Sequence, residues 1–147
     1  ILTLAEHGKR NCWKRIKRKL SLYKNWPIMH YGETESINLL RLAKLQGATE
    51  EEIINLKNRL IDVHARLRLH WRLPVNSYSL KTVASWIGFQ WQKQGADGAR
   101  ALLWWRQWKQ LQIEDREKSR KLKSIFEYNK DDCLATWAVT NWLLSKE

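Results

Sequence analysis

Apolar residues in this chain recur mainly at helical spacing, and the first clear case is a segment rich in lysine and arginine. Between residues 9 and 24 the apolar positions follow one another at steps of three or four, and they are Trp13, Ile16, Leu20 and Tyr23. This spacing predicts an amphipathic helix with one apolar stripe and a basic remainder. We expect the stripe to dock on a sheet of the protein. Contact of the basic face with a phosphate backbone or another anionic surface is then a secondary role.

Two short segments are predicted as β-strands. Residues 26–31 are largely apolar and aromatic, and Pro27 suits the start of a strand. Gly32 turns the chain after them, and residues 60–63 form a second apolar run. Two short strands alone make a poor sheet. The pattern therefore predicts a chain in which helix far exceeds strand.

Start and stop signals divide the remaining sequence into helices. Gly47 and Gly88 suit helix ends, Thr49 and Glu52 have the spacing of a capping box, and Ser79 can cap a further helix. Residues 92–98 are predicted as a loop. The predicted helices are residues 34–46, a short segment after Thr49, a basic segment through Leu67 and His70, the segment between Ser79 and Gly88, and residues 99–112, 115–127 and 128–145.

The length and composition are those of one globular domain. A chain of 147 residues is long enough to bury about 68–70% of its unfolded surface. No apolar run approaches the roughly 18 residues of a membrane span, and Glu6, His7 and Lys9 interrupt any signal peptide. Cys12 and Cys133 are too few and too far apart for a disulfide framework. We therefore expect a cytoplasmic protein without a membrane partner.

The net charge of +12 is the strongest compositional signal. So basic a surface favours phosphate polymers or anionic membranes, although lysine also simply solvates exposed helices. We expect DNA or RNA as the partner, and charge does not distinguish the two. The ten tryptophans are a second signal. Tryptophan can stack on unpaired bases, but it more often fills a core or an interface, and we expect this for each tryptophan taken singly.

An aromatic hydroxyl and a carboxylate lie four residues apart near the C-terminal end, at Tyr128 and Asp132. In a helix this spacing puts both side chains on one face, about 6 Å apart along the axis. The carboxylate could hold a divalent cation and the phenol could orient a water molecule. The alternative is that Asp131 and Asp132 merely occupy the first turn of a helix, where acids favour the helix dipole.

Several short motifs occur in order along the chain. They are His30-Tyr-Gly-Glu-Thr-Glu35, Asp62 at a strand end, Leu73-Pro-Val-Asn-Ser-Tyr-Ser-Leu-Lys81, Ile87-Gly-Phe89, Ala96-Asp-Gly-Ala99 and Tyr128-Asn-Lys-Asp-Asp-Cys-Leu-Ala-Thr136. The last motif resembles the third motif of the DEDD 3′–5′ exonucleases. The ordered set resembles the C-terminal ribonuclease H-like domain of the RecB-like putative nucleases, over about residues 25–145. This resemblance implies an α/β, ribonuclease H-like fold and a 3′–5′ exonuclease that uses Mg²⁺ or Mn²⁺.

The resemblance also implies roles for individual residues. Asp132 and Glu35 would bind metal, and Tyr128 would orient the attacking water. Asp62 would lie at a strand end beside the site, where we expect a structural role. Glu35 has the alternative of a solvated helix position, and Asp131 would lie either beside the ligands or exposed. The candidate nucleic-acid contacts are Lys81, for which a solvated helix face is the alternative, and Lys14, Arg15 and Arg18 of the basic helix.

One part of the family pattern is not visible. The family's first motif is an Asp-x-Glu pair on the first strand of the sheet, and the residues before His30 contain no such pair. Glu35 and Asp132 alone are too few to hold two metal ions in the usual way. We therefore expect a single, partial ribonuclease H-like domain over residues 1–147 that is helix-rich and lacks the first strands of the sheet. Within it, residues 1–24 form the basic helix and residues 25–147 the family-like region.

A sheet without its first strands keeps an open edge and an uncovered apolar face. We expect a missing N-terminal region, a partner chain or a second copy to complete it, unless the helices close a small core of their own. Two functions stay open beside the nuclease. One is a non-catalytic basic module that binds nucleic acid, and the other is a helical interaction fragment whose charge is incidental.

Overall fold

The structure is a computed structural model that describes residues 4–92, 98–112, 115 and 120–146. The chain divides into two compact units, one up to Arg72 and one from Leu73 onward. The first unit contains α1 (Leu4–Leu22), β1 (Ile28–His30), α2 (Glu33–Leu45), α3 (Glu50–Arg59), β2 (Leu60–Asp62) and α4 (Val63–His70). The second unit contains α5 (Leu80–Trp86), α6 (Gly98–Gln110) and α7 (Arg120–Leu144).

The two predicted strands are confirmed, and they pair with each other. β1 and β2 run parallel, with Ile28 opposite Leu60 and His30 opposite Asp62. α2 and α3 form the connection between them, since parallel neighbours need a crossover and not a tight turn. The carboxyl ends of both strands therefore lie at the same edge of the sheet.

α1 docks through its apolar stripe, as predicted, but the buried residues that receive it belong to two helices and not to the sheet. Trp13 is 7% exposed and packs with Ala43 of α2 and with Ile53 and Leu56 of α3. The next two residues of the stripe are partly buried against the same core. The prediction is wrong for Tyr23, which lies beyond the end of α1 and is 48% exposed. The basic face is exposed and carries Lys14, Arg15, Lys17, Arg18 and Lys19.

An arginine of α3 fixes the chain where α1 ends. Arg59 donates to the carbonyl oxygens of Trp26 at 2.9 Å, Tyr23 at 2.7 Å and Leu20 at 3.5 Å. A cation at this end complements the helix dipole, and two of the three carbonyls belong to the residues that follow the helix. The contact accounts for the end of the helix before Tyr23, although the apolar spacing continues to that residue.

The capping signals of the sequence are present in the structure. Thr49 Oγ1 accepts the backbone N–H of Glu52 at 3.2 Å, and the Glu52 carboxylate accepts the N–H of Thr49 at 3.0 Å, which completes the capping box of α3. Ser79 Oγ accepts the N–H of Thr82 at 3.2 Å and caps α5. Gly32 precedes α2 with a φ of 89°, a conformation that glycine adopts without strain.

The second unit is built on contacts of α5 and α6 with α7. Val83 of α5 and Val139 of α7 are fully buried, and the rings of Trp86 and Trp142 pack in a T-shaped arrangement with centroids 5.4 Å apart. None of the residues of α6 is fully buried. Across the part of the chain that the structure describes, no helix is both long enough and apolar enough to cross a bilayer.

The predicted helix boundary between residues 127 and 128 is wrong. α7 is continuous from Arg120 to Leu144, and this stretch contains no glycine or proline to interrupt it. Asp131 and Asp132 therefore lie in the middle of a helix, so the alternative that placed them in a first turn is also wrong. Parts of the predicted loop at 92–98 and of the predicted helix at 115–127 lie outside the described residues.

Most of the tryptophans that the structure describes lie outside the buried core. All ten belong to the described residues, and among them Trp13 alone is buried. Trp26, Trp86, Trp105 and Trp137 are between 42% and 66% exposed. Trp13 belongs to the apolar stripe of α1 and packs with residues of α2 and α3.

Candidate functional site

Tyr128 and Asp132 lie one turn apart on α7, as their spacing predicted. Both side chains are half-buried. The indole N–H of Trp91 donates to Asp132 Oδ1 at 3.1 Å, and the ring of Phe89 packs edge to face on Trp91 with centroids 4.9 Å apart. The Asp132 carboxylate is thereby oriented by a partly buried aromatic contact while part of its surface remains accessible.

Asp131 lies next to this carboxylate and faces inward. It is 3% exposed, and its Oδ2 accepts the backbone N–H of Gln92 at 3.1 Å. The alternative that Asp131 is exposed is therefore wrong. Asp131 and Asp132 thus both accept hydrogen bonds from the segment that contains Trp91 and Gln92. Sequence reasoning missed Trp91 and Gln92 because they lie 41 and 39 residues from their acids, and no local spacing links such positions.

Glu35, the other predicted ligand, lies in the first turn of α2 and is exposed. A carboxylate in this position is favoured by the helix dipole alone. Glu35 belongs to the first unit, whereas Tyr128 and Asp132 belong to the second. The structure thus brings Tyr128 and Asp132 together on one helix and puts Glu35 on a separate unit.

Asp62 has the structural role that its place at a strand end predicted. Its Oδ1 accepts the N–H of Gly32 at 3.0 Å and of Ala65 at 3.2 Å, so it caps α4 and ties together the ends of both strands. Burial opposes ionisation of this carboxyl. The N–H groups of Gly32 and Ala65 and the charge of His30 outweigh that effect and hold the pKa of Asp62 below its ordinary value.

His30 begins the first of the ordered motifs and lies at the carboxyl end of β1. It is 8% exposed, and its Nδ1 lies 2.7 Å from the carbonyl oxygen of Gly32. Tyr31 follows His30 and His64 follows Asp62 by two residues, and the ring centroids of Tyr31 and His64 lie 5.2 Å apart. These groups gather at the carboxyl edge of the parallel pair, where α/β folds bind ligands. The parallel pairing of the strands is the signal that could have found them.

α1 retains an exposed basic surface after it has docked. Lys17 is engaged with Glu52 of α3 at 2.6 Å. The ammonium of Lys17, and after it the N–H of Thr49, holds the pKa of Glu52 below its ordinary value. The predicted nucleic-acid contacts are all exposed, with Lys14, Arg15 and Arg18 on α1 and Lys81 on α5.

The carboxylates of α7 do not by themselves make a metal centre. Among the described residues, no three His, Cys, Asp or Glu side chains are grouped so that they could hold a metal ion. One oxygen each of Asp131 and Asp132 already accepts an N–H. A two-ion centre needs several carboxylates around ions about 3.5–4 Å apart. The described residues therefore do not fit the two-metal centre that the family resemblance implies.

The first unit is thus a parallel strand pair joined by helices, and the second unit is helical and carries Asp131 and Asp132. A family model of the RNase H superfamily matches residues 4–144. The chain belongs to this superfamily, which confirms the predicted α/β, ribonuclease H-like and helix-rich fold. Comparison with curated proteins and with solved structures found no match.

Proposed function

We propose that this chain is a nuclease domain that cleaves phosphodiester bonds in DNA or RNA, with Asp132 and Tyr128 at its centre. The observation that supports this best is a phenol and a carboxylate one turn apart on α7, both half-buried, in a chain of the RNase H superfamily. The N–H of Trp91 on Asp132 adds preorganisation, which is how active sites avoid reorganising during reaction.

Within the superfamily we propose the DEDD-type 3′–5′ exonucleases and, more narrowly, the RecB-like putative nucleases. The ordered motifs of the sequence support this assignment. In the structure, two of them lie at the carboxyl edge of the sheet, at His30 and Asp62. Tyr128 and Asp132, which the resemblance assigns to the third motif, lie on one helix at a spacing that puts both on one face. The direction of digestion is an inference from the resemblance alone.

We further propose that activity depends on Mg²⁺ or Mn²⁺, with Asp132 and Glu35 as candidate ligands. Magnesium often binds through one or two carboxylates together with substrate phosphates and water. Further acids would have to come from another segment of the protein, a partner chain or a second copy. The described sheet has two strands, and such a sheet has edges to which another strand can add.

A nuclease assay with matched variants tests the proposal. End-labelled single-stranded DNA and RNA are incubated with the protein and Mn²⁺ or Mg²⁺, with and without chelator. Asp132→Asn keeps the shape and an acceptor for Trp91 but removes the charge. We expect it to lower the cleavage rate at least about a hundredfold, the scale on which one preorganised electrostatic contact acts.

Asp115→Asn, which changes an exposed acid, is the control and is expected to keep the wild-type rate. Shortening of the substrate from the 3′ end would support exonuclease polarity. Cleavage that survives either the chelator or Asp132→Asn would contradict the proposal.

A non-catalytic nucleic-acid-binding module is the second candidate. The exposed basic face of α1 favours it, together with the finding that the described residues group no metal ligands. Salt-sensitive binding of DNA or RNA by a chain that cleaves neither would select this candidate over the nuclease. Binding that does not change with salt would exclude it, because phosphate contacts release counterions.

We propose the cytoplasm as the site of action. Cys12 and Cys133 are exposed thiols that are not joined in a disulfide. Exposed thiols persist in the reducing cytoplasm and are oxidised outside it. Isolation of the protein from cells with both thiols open to alkylation would support this placement, and a recovered disulfide would contradict it.

A further inference from the structure

Two exposed aromatic rings stand side by side where α1 ends. Tyr23 is 48% exposed and Trp26 is 66% exposed, and their ring centroids lie 5.3 Å apart at an interplanar angle of 56°. The sequence pattern assigned Tyr23 to the buried stripe of α1, so its exposure is a property of the fold. We call Tyr23 and Trp26 the aromatic pair.

The backbone that carries the aromatic pair is fixed. The N–H of Trp26 donates to the carbonyl oxygen of Tyr23 at 3.1 Å, which closes a turn between them. Arg59 donates to both of their carbonyl oxygens, at 2.7 Å for Tyr23 and 2.9 Å for Trp26. A surface held in place before binding loses less conformational freedom on association. The pair is therefore a preorganised surface and not a frayed helix end.

The charge around the aromatic pair selects an anionic partner. Lys19 and Lys24 flank Tyr23 in sequence, and both are exposed. An anionic bilayer is disfavoured, because a helix lying on a membrane inserts an exposed apolar face. The apolar face of α1 is already buried through Trp13 against α2 and α3. A ligand that combines flat apolar rings with a phosphate backbone matches both the rings and the lysines.

We propose that the aromatic pair stacks on unpaired bases of single-stranded DNA or RNA, and that Lys19 and Lys24 contact the adjoining phosphates. Stacking of bases on aromatic side chains is favourable for every base, so it selects single strands over duplexes without reading sequence. The inference rests on the proposed function in taking nucleic acid as the partner, and it adds the single-stranded form and the place of contact.

Fluorescence anisotropy with a labelled oligothymidylate and with a blunt duplex tests the inference. Tyr23→Ala and Trp26→Ala are each expected to weaken single-strand binding about 5- to 150-fold, the range measured for loss of one stacked base. Duplex affinity is expected to stay within about twofold, since paired bases do not reach the rings. Trp26→Phe keeps a stacking ring and should restore most of the affinity.

Trp137→Ala is the matched control, because Trp137 is 58% exposed and lies in the second unit. It should leave single-strand affinity unchanged. Urea unfolding of every variant checks that the fold is retained. In addition, the ¹⁹F resonance of 5-fluorotryptophan at position 26, assigned through Trp26→Phe, should shift when oligothymidylate is added.

The outcomes separate this inference from the proposed function. Salt-dependent binding by wild type that neither Tyr23→Ala nor Trp26→Ala weakens would overturn the aromatic pair and leave nucleic-acid binding intact. Equal weakening for single strand and duplex would overturn stacking. Absence of any nucleic-acid binding by wild type would remove the proposed function itself. Tighter binding to anionic vesicles that Trp26→Ala abolishes, with oligothymidylate affinity unchanged, would assign the pair to lipid.

Discussion

At the residue scale, two neighbouring aspartates of α7 have different surroundings. Asp132 is half-buried and receives an indole N–H, whereas Asp131 is 3% exposed and receives a backbone N–H. The sequence predicted an acid at this place through the spacing from Tyr128. It could not say which of two adjacent acids faces inward, because successive helical residues point about 100° apart and the covering segment is distant in sequence.

Asp131→Ala is expected to destabilise the protein by about 1–3 kcal/mol. The substitution leaves the N–H of Gln92 without its carboxylate acceptor, and a hydrogen bond to a charged group contributes about that much. Asp132→Asn, which keeps an acceptor for Trp91, should change stability by less than about 0.5 kcal/mol. Urea unfolding measured for both variants gives the comparison. A larger loss for Asp132→Asn than for Asp131→Ala would reverse this assignment of roles.

Asp62 gives a prediction about acid stability. Its pKa in the folded state is below the ordinary value of about 3.9. A carboxyl whose pKa is lowered by folding contributes stability that is fully present above the unfolded pKa. That contribution is lost as the pH falls through the folded pKa. Asp62→Asn keeps an oxygen acceptor but removes the charge, so it should lower the unfolding free energy at neutral pH by on the order of 1 kcal/mol.

The difference between wild type and Asp62→Asn should shrink once the pH falls below about 4. Unfolding by urea at a series of pH values from neutral to acid measures it. Glu50→Gln is the control, because Glu50 is an exposed acid in the first turn of α3. A difference that stays constant across the whole range would mean that the charge of Asp62 does not stabilise the strand ends.

At the element scale, signals within a few residues predicted the starts of α3 and α5. The end of α1 was missed because the contact there comes from a residue that is distant in sequence. Thr49 and Ser79 cap α3 and α5 as their sequence context predicted, because a cap is a contact over three residues. The end of α1 depends on Arg59, which lies 36 residues from Tyr23. The spacing of apolar residues within α1 gives no sign of the Arg59 contact. The sequence pattern therefore extended the apolar stripe to Tyr23, which lies just beyond the last helical residue, Leu22.

Arg59→Lys is expected to lower the unfolding free energy by about 1–3 kcal/mol. Arginine donates to three carbonyl oxygens through a planar group, and a lysine ammonium does not reproduce that geometry. The same change should loosen the aromatic pair and weaken single-strand binding. Arg68→Lys, at an exposed position of α4, is the matched control. Equal stability of Arg59→Lys and wild type would show that the carbonyl contacts are not what ends α1.

At the scale of the whole molecule, the basic composition predicted nucleic acid as the partner. The fold determines which basic side chains share an exposed face. The charge of +12 is spread along the entire sequence. Lys17 of the docked α1 is paired with Glu52, and Lys14, Arg15 and Arg18 are exposed on the same helix. No spacing in the sequence relates Glu35 to Asp132, and the two residues belong to different units.

A salt titration distinguishes a positioned basic face from bulk charge. The triple variant Lys14→Gln, Arg15→Gln and Arg18→Gln removes three charges from α1. If these residues contact phosphates, the slope of log affinity against log salt for single-stranded DNA should become shallower by about 2, since each contact contributes about 0.7.

The control removes three exposed charges from other helices of the same unit, at Lys44, Lys57 and Arg66. Both variants carry the same net charge, so an effect of charge alone changes both slopes equally. A slope that changes only in the α1 variant assigns the contacts to that helix, whereas equal changes would mean that the +12 charge attracts nucleic acid without a defined docking face.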